Sequence, residues 1–475
     1  MSRILVLGFP HTQTIDPRDE NLINICPFTE QIWYFCQMMA LRGNEVIHVG
    51  TWGSKLPDGV EHVSASTKEE WEILYGWRHP LSGYLTNCDT AYGEYRKRFA
   101  ARANQIFRER GGKPYESIIG TLWDADHATK DVPQFVVEYG IGYPHATSPW
   151  RVYLSEAWRQ FHEGHDKNFG GDKYYWTTIP LAVNLDLFGP VVPTAEKVDA
   201  HGRPYFLVQT RMHEDKGVRW AVQIAKALNT QIVLTGREDA TSFIAEWPEG
   251  VVHLGMTDIA MRRELMRHAK ALFSLTRYQE PYGAVAIEAQ ASGCPVISTD
   301  FGGYLSTVVH ADENGRGGTG WRVNTFEESV WAARNVHKID PFVCREWIAR
   351  NHNFRKVSGM YQDYFEAVMR LGTTGWTDPG PADTRVGLPR AFRDYSMFGQ
   401  GANSSTITMP GVPSPPTAAA EVEAAPPPPA PYPTALPPAP AAVLPCPPAP
   451  ISVHAPSPER PADAESLCPE KPGSP

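Results

Sequence analysis

The stretch Arg277-Tyr-Gln-Glu280-Pro-Tyr-Gly283-Ala-Val-Ala-Ile-Glu288-Ala-Gln-Ala-Ser-Gly-Cys-Pro-Val-Ile-Ser-Thr-Asp300 decides how this chain reads, because it carries an apolar run through a polar loop into a helical pattern. The run Ala271 to Leu275 reads as a buried strand ending at that loop. Pro281 sits where a helix favours its first residue, since the missing N–H is not needed there, so a helix is expected from about Tyr282. Its free N–H groups and positive dipole end face a cleft. Gly283, without a Cβ, leaves the backbone beside Ala284 open to an anion such as a diphosphate. Glu280 then lies in the loop and Glu288 further down the helix. At ~1.5 Å rise per helical residue the two carboxylates lie on the order of 10 Å apart, so each can accept bonds from a different pair of hydroxyls.

The bulk composition limits the possible classes. A chain of 475 residues with 42% hydrophobic content has enough apolar surface for two ordinary domains. The formal charge of -9 gives no basic footprint and weighs against nucleic acid as the main partner. The apolar run Ile4 to Leu7 is too short for a signal-peptide core or a membrane span and reads as a first buried strand. Cysteines at 26, 36, 88, 294, 344, 446 and 468 are odd in number and lack metal or redox spacing, which fits a reducing cytoplasm.

Strand and helix signals alternate through the first half, as a doubly wound parallel sheet requires. Ile32, Phe35, Cys36 and Met39 recur at helical spacing until Gly43. Val46 to Val49, Ser117 to Trp123 and Gln134 to Val137 read as further strands. Open α/β sheets bind ligands at the carboxyl ends of their strands, so Asp124, Asp126, His127, Glu138 and Tyr139 are candidates to line a cleft, with His11 in the loop after the first strand. A second αβ series starts at Tyr205 to Val208 and continues through Gln231 to Leu234, Val251 to Leu254, Ala271 to Leu275 and Pro295 to Ser298. The domain plan is 1–188, then 189–350, then a crossover helix over 351–372 that packs back on the first domain. Residues 373–475 are a linker and a Pro- and Ala-rich tail, which cannot bury enough apolar area to offset chain entropy. That tail is expected to be disordered. It has the composition of a PPII ligand for a partner's aromatic groove, with a passive tail the preferred reading.

Glu280-Pro-Tyr-Gly283, Ile287-Glu288-Ala, the run Ala291 to Asp300, and Gly302-Gly303, in that order, resemble the donor-binding half of retaining GT-B glycosyltransferases, specifically family four, the glycosyl transferases group 1. The resemblance implies an α/β fold of two Rossmann-like domains facing a cleft. It also implies transfer of a hexose-like unit from a nucleoside diphosphate sugar to a hydroxyl with retention at the anomeric carbon, and no metal or other cofactor. Glu280 would orient the sugar and Glu288 the ribose. Tyr282, Gly283, Ala284, Gly302 and Gly303 would line the donor site. Arg211 and Lys216, in Thr210-Arg211 and Lys216-Gly217, match the family's diphosphate-gripping cations, although Thr210 replaces the usual glycine. Their chemistry stands without the resemblance: a bond to a diphosphate breaks readily only when fixed cations meet the departing charge. Thr178-Ile-Pro180 to Phe188 resembles the hinge entry, with Leu181-Ala182 and Asn184 as departures.

The first domain departs further. The family's paired glycines after strand one are absent from Gly8-Phe-Pro-His11-Thr12, leaving Thr12 or Thr29 as substitutes, with Thr29 better read as a helix N-cap. Asp124-Ala-Asp126 has the Asp-x-Asp form that holds a metal in the other large glycosyltransferase fold. That fold has one domain, so an acceptor-side role for Asp126 or His127 is the better reading, a satisfied cleft-edge polar group standing equal to it. Rival functions are a GT-B enzyme acting on modified DNA bases, a sugar-nucleotide epimerase, and a non-catalytic adaptor working through the Pro-rich tail.

Overall fold

A computed structural model describes residues 2–23, 27–75, 90–114, 116–122, 126–165, 176–237 and 247–371. Asp124 and the Pro- and Ala-rich tail lie outside the described residues. The first half builds a parallel seven-stranded sheet from β1 (Arg3–Leu7), β2 (Glu45–Gly50), β3 (Val60–Ser64), β4 (Ser117–Thr121), β5 (Phe135–Ile141), β6 (Trp150–Tyr153) and β7 (Thr177–Thr178). Their order is β3-β2-β1-β4-β5-β6-β7. The second half builds a parallel six-stranded sheet from β8 (Tyr205–Gln209), β9 (Gln231–Thr235), β10 (Val251–His253), β11 (Leu272–Ser274), β12 (Val296–Thr299) and β13 (Gly320–Val323), ordered β10-β9-β8-β11-β12-β13.

Both faces of both sheets are covered, which is why their strands read as continuous apolar runs. Alternate residues of one strand serve opposite cores: Ile4 and Val6 face one cluster, Leu5 and Leu7 the other. Phe206 and Val208 are divided from Tyr205 and Leu207 in the same way. In the first half the covering helices are α1 (Pro27–Leu41), α2 (Lys68–Tyr75), α3 (Thr90–Arg110), α4 (Asp126–Thr129) and α5 (Glu156–His165). The second half uses α6 (Val218–Ala227), α7 (Ile259–His268), α8 (Ala284–Ala291), α9 (Tyr304–Thr307), α10 (Phe326–Asn335) and α11 (Pro341–Asn351). The chain then returns as α12 (Phe354–Leu371), whose Val357, Met360, Tyr361, Tyr364, Phe365 and Val368 join the first half's core at helical spacing.

Three local expectations change. Helix α1 starts at Pro27, so Thr29 lies buried within its first turn and does not cap it. Strand β5 runs on to Ile141, which places Glu138 and Tyr139 inside the strand rather than at its end. Helix α8 begins at Ala284, two residues late, because Gly283 adopts φ 81°, a left-handed conformation that a helix cannot continue through.

Several histidines are buried as neutral rings. His48 packs against Gly8 and Gly50 and bonds Thr14 and His62, and burial followed by the neighbouring His62 pushes its pKa down to about 3. Burial likewise lowers His162 and His352 to about 4. The unfolded chain takes up protons near pH 6.5 that the native rings refuse. The stability these rings contribute is therefore complete well above pH 6.5 and is lost as pH falls through that value towards their native pKa values. Urea unfolding at pH 7.5 and 5.5 checks this: the free energy should drop at the lower pH, and equal values would contradict it.

Candidate active site

The site is assembled from two loops of the second sheet. Strand β8 ends at Gln209, and Thr210 and Met212 donate their N–H groups to the carbonyls of Thr235 and Arg237, fixing the path past Arg211. His213 then caps a short turn over Glu214–Lys216, accepting from the Asp215 N–H at 3.2 Å. Gly217 closes that turn at φ 69°, and a Cβ there would stand 2.0 Å from the Leu275 carbonyl oxygen, so the position requires glycine. The following strand's loop is tied to the same turn, because the Arg277 N–H donates to the Asp215 carbonyl at 2.7 Å.

This registration brings Lys216 to Glu280. The ammonium lies 2.9 Å from Glu280 Oε2, and both side chains are largely shielded, at 17% and 14% exposure. Arg211 is exposed, close enough for its charge to act on the Tyr278 phenol, and pairs with no carboxylate among the described residues. Beside them α8 begins without a side-chain cap. Gly283 lies on the Tyr304 ring, whose hydroxyl bonds Ser274 Oγ at 2.6 Å and Thr276 Oγ1 at 2.8 Å. The Gly303 N–H donates to the Glu280 carbonyl at 2.7 Å, so that glycine fixes the Glu280 loop. Two cations and a helix N-terminus are the groups that could hold an anion here.

Glu288 lies lower on α8, with Oε2 2.9 Å from Arg262 of α7. It lines an open cavity of about 850 Å³ between the halves, together with Glu30 and Tyr34 of α1 and Arg263. Burial raises the Glu288 pKa, Glu30 adds to the rise, and the charges of Arg262 and Arg263 oppose it. Lys216, Arg211 and Glu280 do not line this cavity. The halves meet around it through the Ile259 and Ala260 N–H groups, which donate to the Leu22 and Glu20 carbonyls at 3.1 Å each.

The remaining expected residues are distributed as follows. Tyr282 is buried, and its hydroxyl accepts from the Leu181 N–H and meets His352 Nδ1, both at 3.2 Å; it ties the Glu280 loop to the two chain crossings between the halves. Glu138 is fully buried, accepting from Tyr143 Oη at 2.7 Å and from the Thr147 and Ser148 N–H groups at 2.8 and 3.0 Å. Burial raises its pKa against those bonds. His11 is half-buried, with its pKa lowered to about 4 by burial and then by Arg96. The side chains of Asp126 and His127 lie outside the described residues, although their backbone opens α4. Sequence reasoning missed Tyr278 and Arg262. Arg262 gave no signal because its partner comes from a different helix.

Residues 203–334 match the family model for glycosyl transferases group 1. A D-inositol 3-phosphate glycosyltransferase from Nocardia farcinica is 47% identical over 64 residues, covering 14% of this chain and 13% of the relative. Its counterpart from Xylanimonas cellulosilytica is 30% identical over 171 residues, covering 31% and 40%. The matched part thus spans less than half of either relative. The structure of sucrose-phosphate synthase from Thermosynechococcus elongatus superposes with a TM-score of 0.57 at 16% identity, covering 78% of this chain and 100% of that one. The fold is GT-B. Among the described residues no helix is long and apolar enough to cross a membrane.

Proposed function

We propose that this chain is a glycosyltransferase of the retaining, family-four type, moving a sugar from a nucleoside diphosphate sugar to an acceptor hydroxyl. The observation that carries this reading is the Lys216–Glu280 pair set beside Arg211 and the uncapped start of α8. The diphosphate lies over that helix start. Glu280 accepts from hydroxyls of the sugar and Glu288 from those of the ribose. The bond from the anomeric carbon to the phosphate oxygen breaks while the acceptor oxygen bonds the same face of that carbon. The acceptor's proton passes to the departing phosphate oxygen, so no protein nucleophile takes part. Arg211 and Lys216 meet the charge that grows on the diphosphate, where fixed donors contribute most because they need no reorganisation.

In this reading fixed cations and helix N–H groups hold the diphosphate without a metal, and the buried free thiols of Cys36, Cys294 and Cys344 support a reducing, cytoplasmic setting. The acceptor enters from the first half, where His11, Asp126 and His127 are the candidates to meet it. Glu138 acts there through the 143–148 turn it holds.

A thermal-shift screen of nucleotide sugars identifies the donor, since a ligand at 100 times its Kd stabilises the native state by ~2.7 kcal/mol. NMR of the product made from that donor in excess chelator then tests both finer claims. Turnover with the donor's anomeric configuration kept is the expected result. An inverted product, or activity abolished by chelator and restored by Mg²⁺ or Mn²⁺, would contradict it.

A further inference from the structure

Lys216 and Glu280 are not a closed pair. The Tyr278 hydroxyl donates to Glu280 Oε2 at 3.0 Å, the same oxygen that Lys216 contacts, and it accepts a hydrogen bond from the Lys216 ammonium. The three side chains thus close a ring of hydrogen bonds at the junction of the two loops. The ammonium is 4.7 Å from the centroid of the Tyr278 ring. Because it is also bonded to the phenol oxygen, which projects from the ring edge, it lies beyond that edge rather than over the face. The hydroxyl therefore holds Lys216, with no ring-face attraction. Tyr278 itself is 36% exposed and close enough to Arg211 to feel its charge.

The ring of bonds leaves specific groups unused. Glu280 Oε2 is taken twice, which leaves Oε1 for a substrate hydroxyl, and two of the three ammonium protons are committed, which leaves one for a phosphate oxygen. Resting on the proposed function, we propose that Tyr278 is a positioning residue for that reaction. It clamps Oε2 and the ammonium so that the free Oε1 faces the sugar and the remaining ammonium proton faces the leaving phosphate when the donor enters. Without the hydroxyl, the long lysine side chain regains rotamers and the carboxylate loses a fixed partner, so the loss falls on the reacting geometry.

The test uses Tyr278→Phe and Tyr278→Leu in the full chain, with Lys216→Ala as reference. It reads kcat and KM for donor turnover, and Kd for nucleoside diphosphate by calorimetry. Both Tyr278 variants should lower kcat by about 10- to 100-fold. They should do so equally, since phenylalanine restores only a ring face that Lys216 does not use. Donor KM should stay within about twofold of the parent, a split that general loosening of the loop would not produce, and nucleoside diphosphate, whose terminal phosphate carries the charge Lys216 meets, should bind no more weakly than to Lys216→Ala. If Lys216→Ala loses turnover while Tyr278→Phe keeps the parental kcat, this inference fails and the site assignment survives. If Lys216→Ala also turns over like the parent, both fall. A Phe variant that raises donor KM as much as it lowers kcat would likewise overturn the positioning role.

Discussion

Replacing Lys216 by alanine lowers donor turnover by about 10²- to 10³-fold while the protein remains folded, and Arg211→Ala has an effect of the same order. Both cations face a diphosphate that is already anionic in the bound donor and gains charge as its bond to the sugar breaks, so their loss appears in kcat as well as in binding. Lys216→Ala has a further consequence that Arg211→Ala lacks. It strips Glu280 of its ion partner at 2.9 Å in a largely shielded position. Arg211, exposed and without a carboxylate partner among the described residues, leaves nothing stranded when it is removed. The double variant should lose less than the product of the two single losses, because both act on one diphosphate. Steady-state rates on variants with parental circular dichroism check this, and parental turnover in both would remove them from the mechanism.

Gly217→Ala is expected to cost stability and turnover together. The added methyl would stand 2.0 Å from the Leu275 carbonyl oxygen, and the residue would be held at φ 69°. Such strain costs on the order of 1 to 3 kcal/mol, with overpacking adding a comparable amount. Relief requires the Lys216 turn to move away from the strand that leads into Glu280, which opens the contact between them. A lower urea midpoint with turnover falling by about 100-fold is the expected pair of results. A variant with parental midpoint and parental rate would show that the two loops are not in the tight register described.

Much of this arrangement is legible in the residues because a buried parallel strand is a continuous apolar run and each run leads into a polar loop. Ala271 to Leu275 followed by Arg277 to Gly283 is such a case: strand, site loop and helix follow in the expected order. Boundaries failed where a distant residue decides. The start of α8 moves past Tyr282 because that side chain is held by Leu181 and His352, far away in the sequence, and Gly283 turns left-handed over the Tyr304 ring. Glu138 looks like a strand end because a carboxylate normally ends an apolar run; the Tyr143 hydroxyl and the 147–148 amides satisfy it inside the core instead. Thr29 resembles a cap, but Pro27, pre-set for the first helical turn, has already begun the helix. Arg262 becomes visible as the partner of Glu288 only once α7 and α8 are packed side by side.

The division of labour between the two glutamates is the centre of this account. Glu288 is assigned to the ribose, which the free nucleotide shares with the donor, and Glu280 to the sugar, which the free nucleotide lacks. Calorimetric titration of nucleoside diphosphate into the parent, Glu280→Ala and Glu288→Ala proteins separates these roles. Glu288→Ala should weaken binding by about 1 to 3 kcal/mol, as expected when a charged hydrogen-bond acceptor is lost, while Glu280→Ala binds like the parent and fails in turnover. Equal nucleotide affinity in all three proteins, or a loss confined to Glu280→Ala, would contradict the placement of the donor in this site.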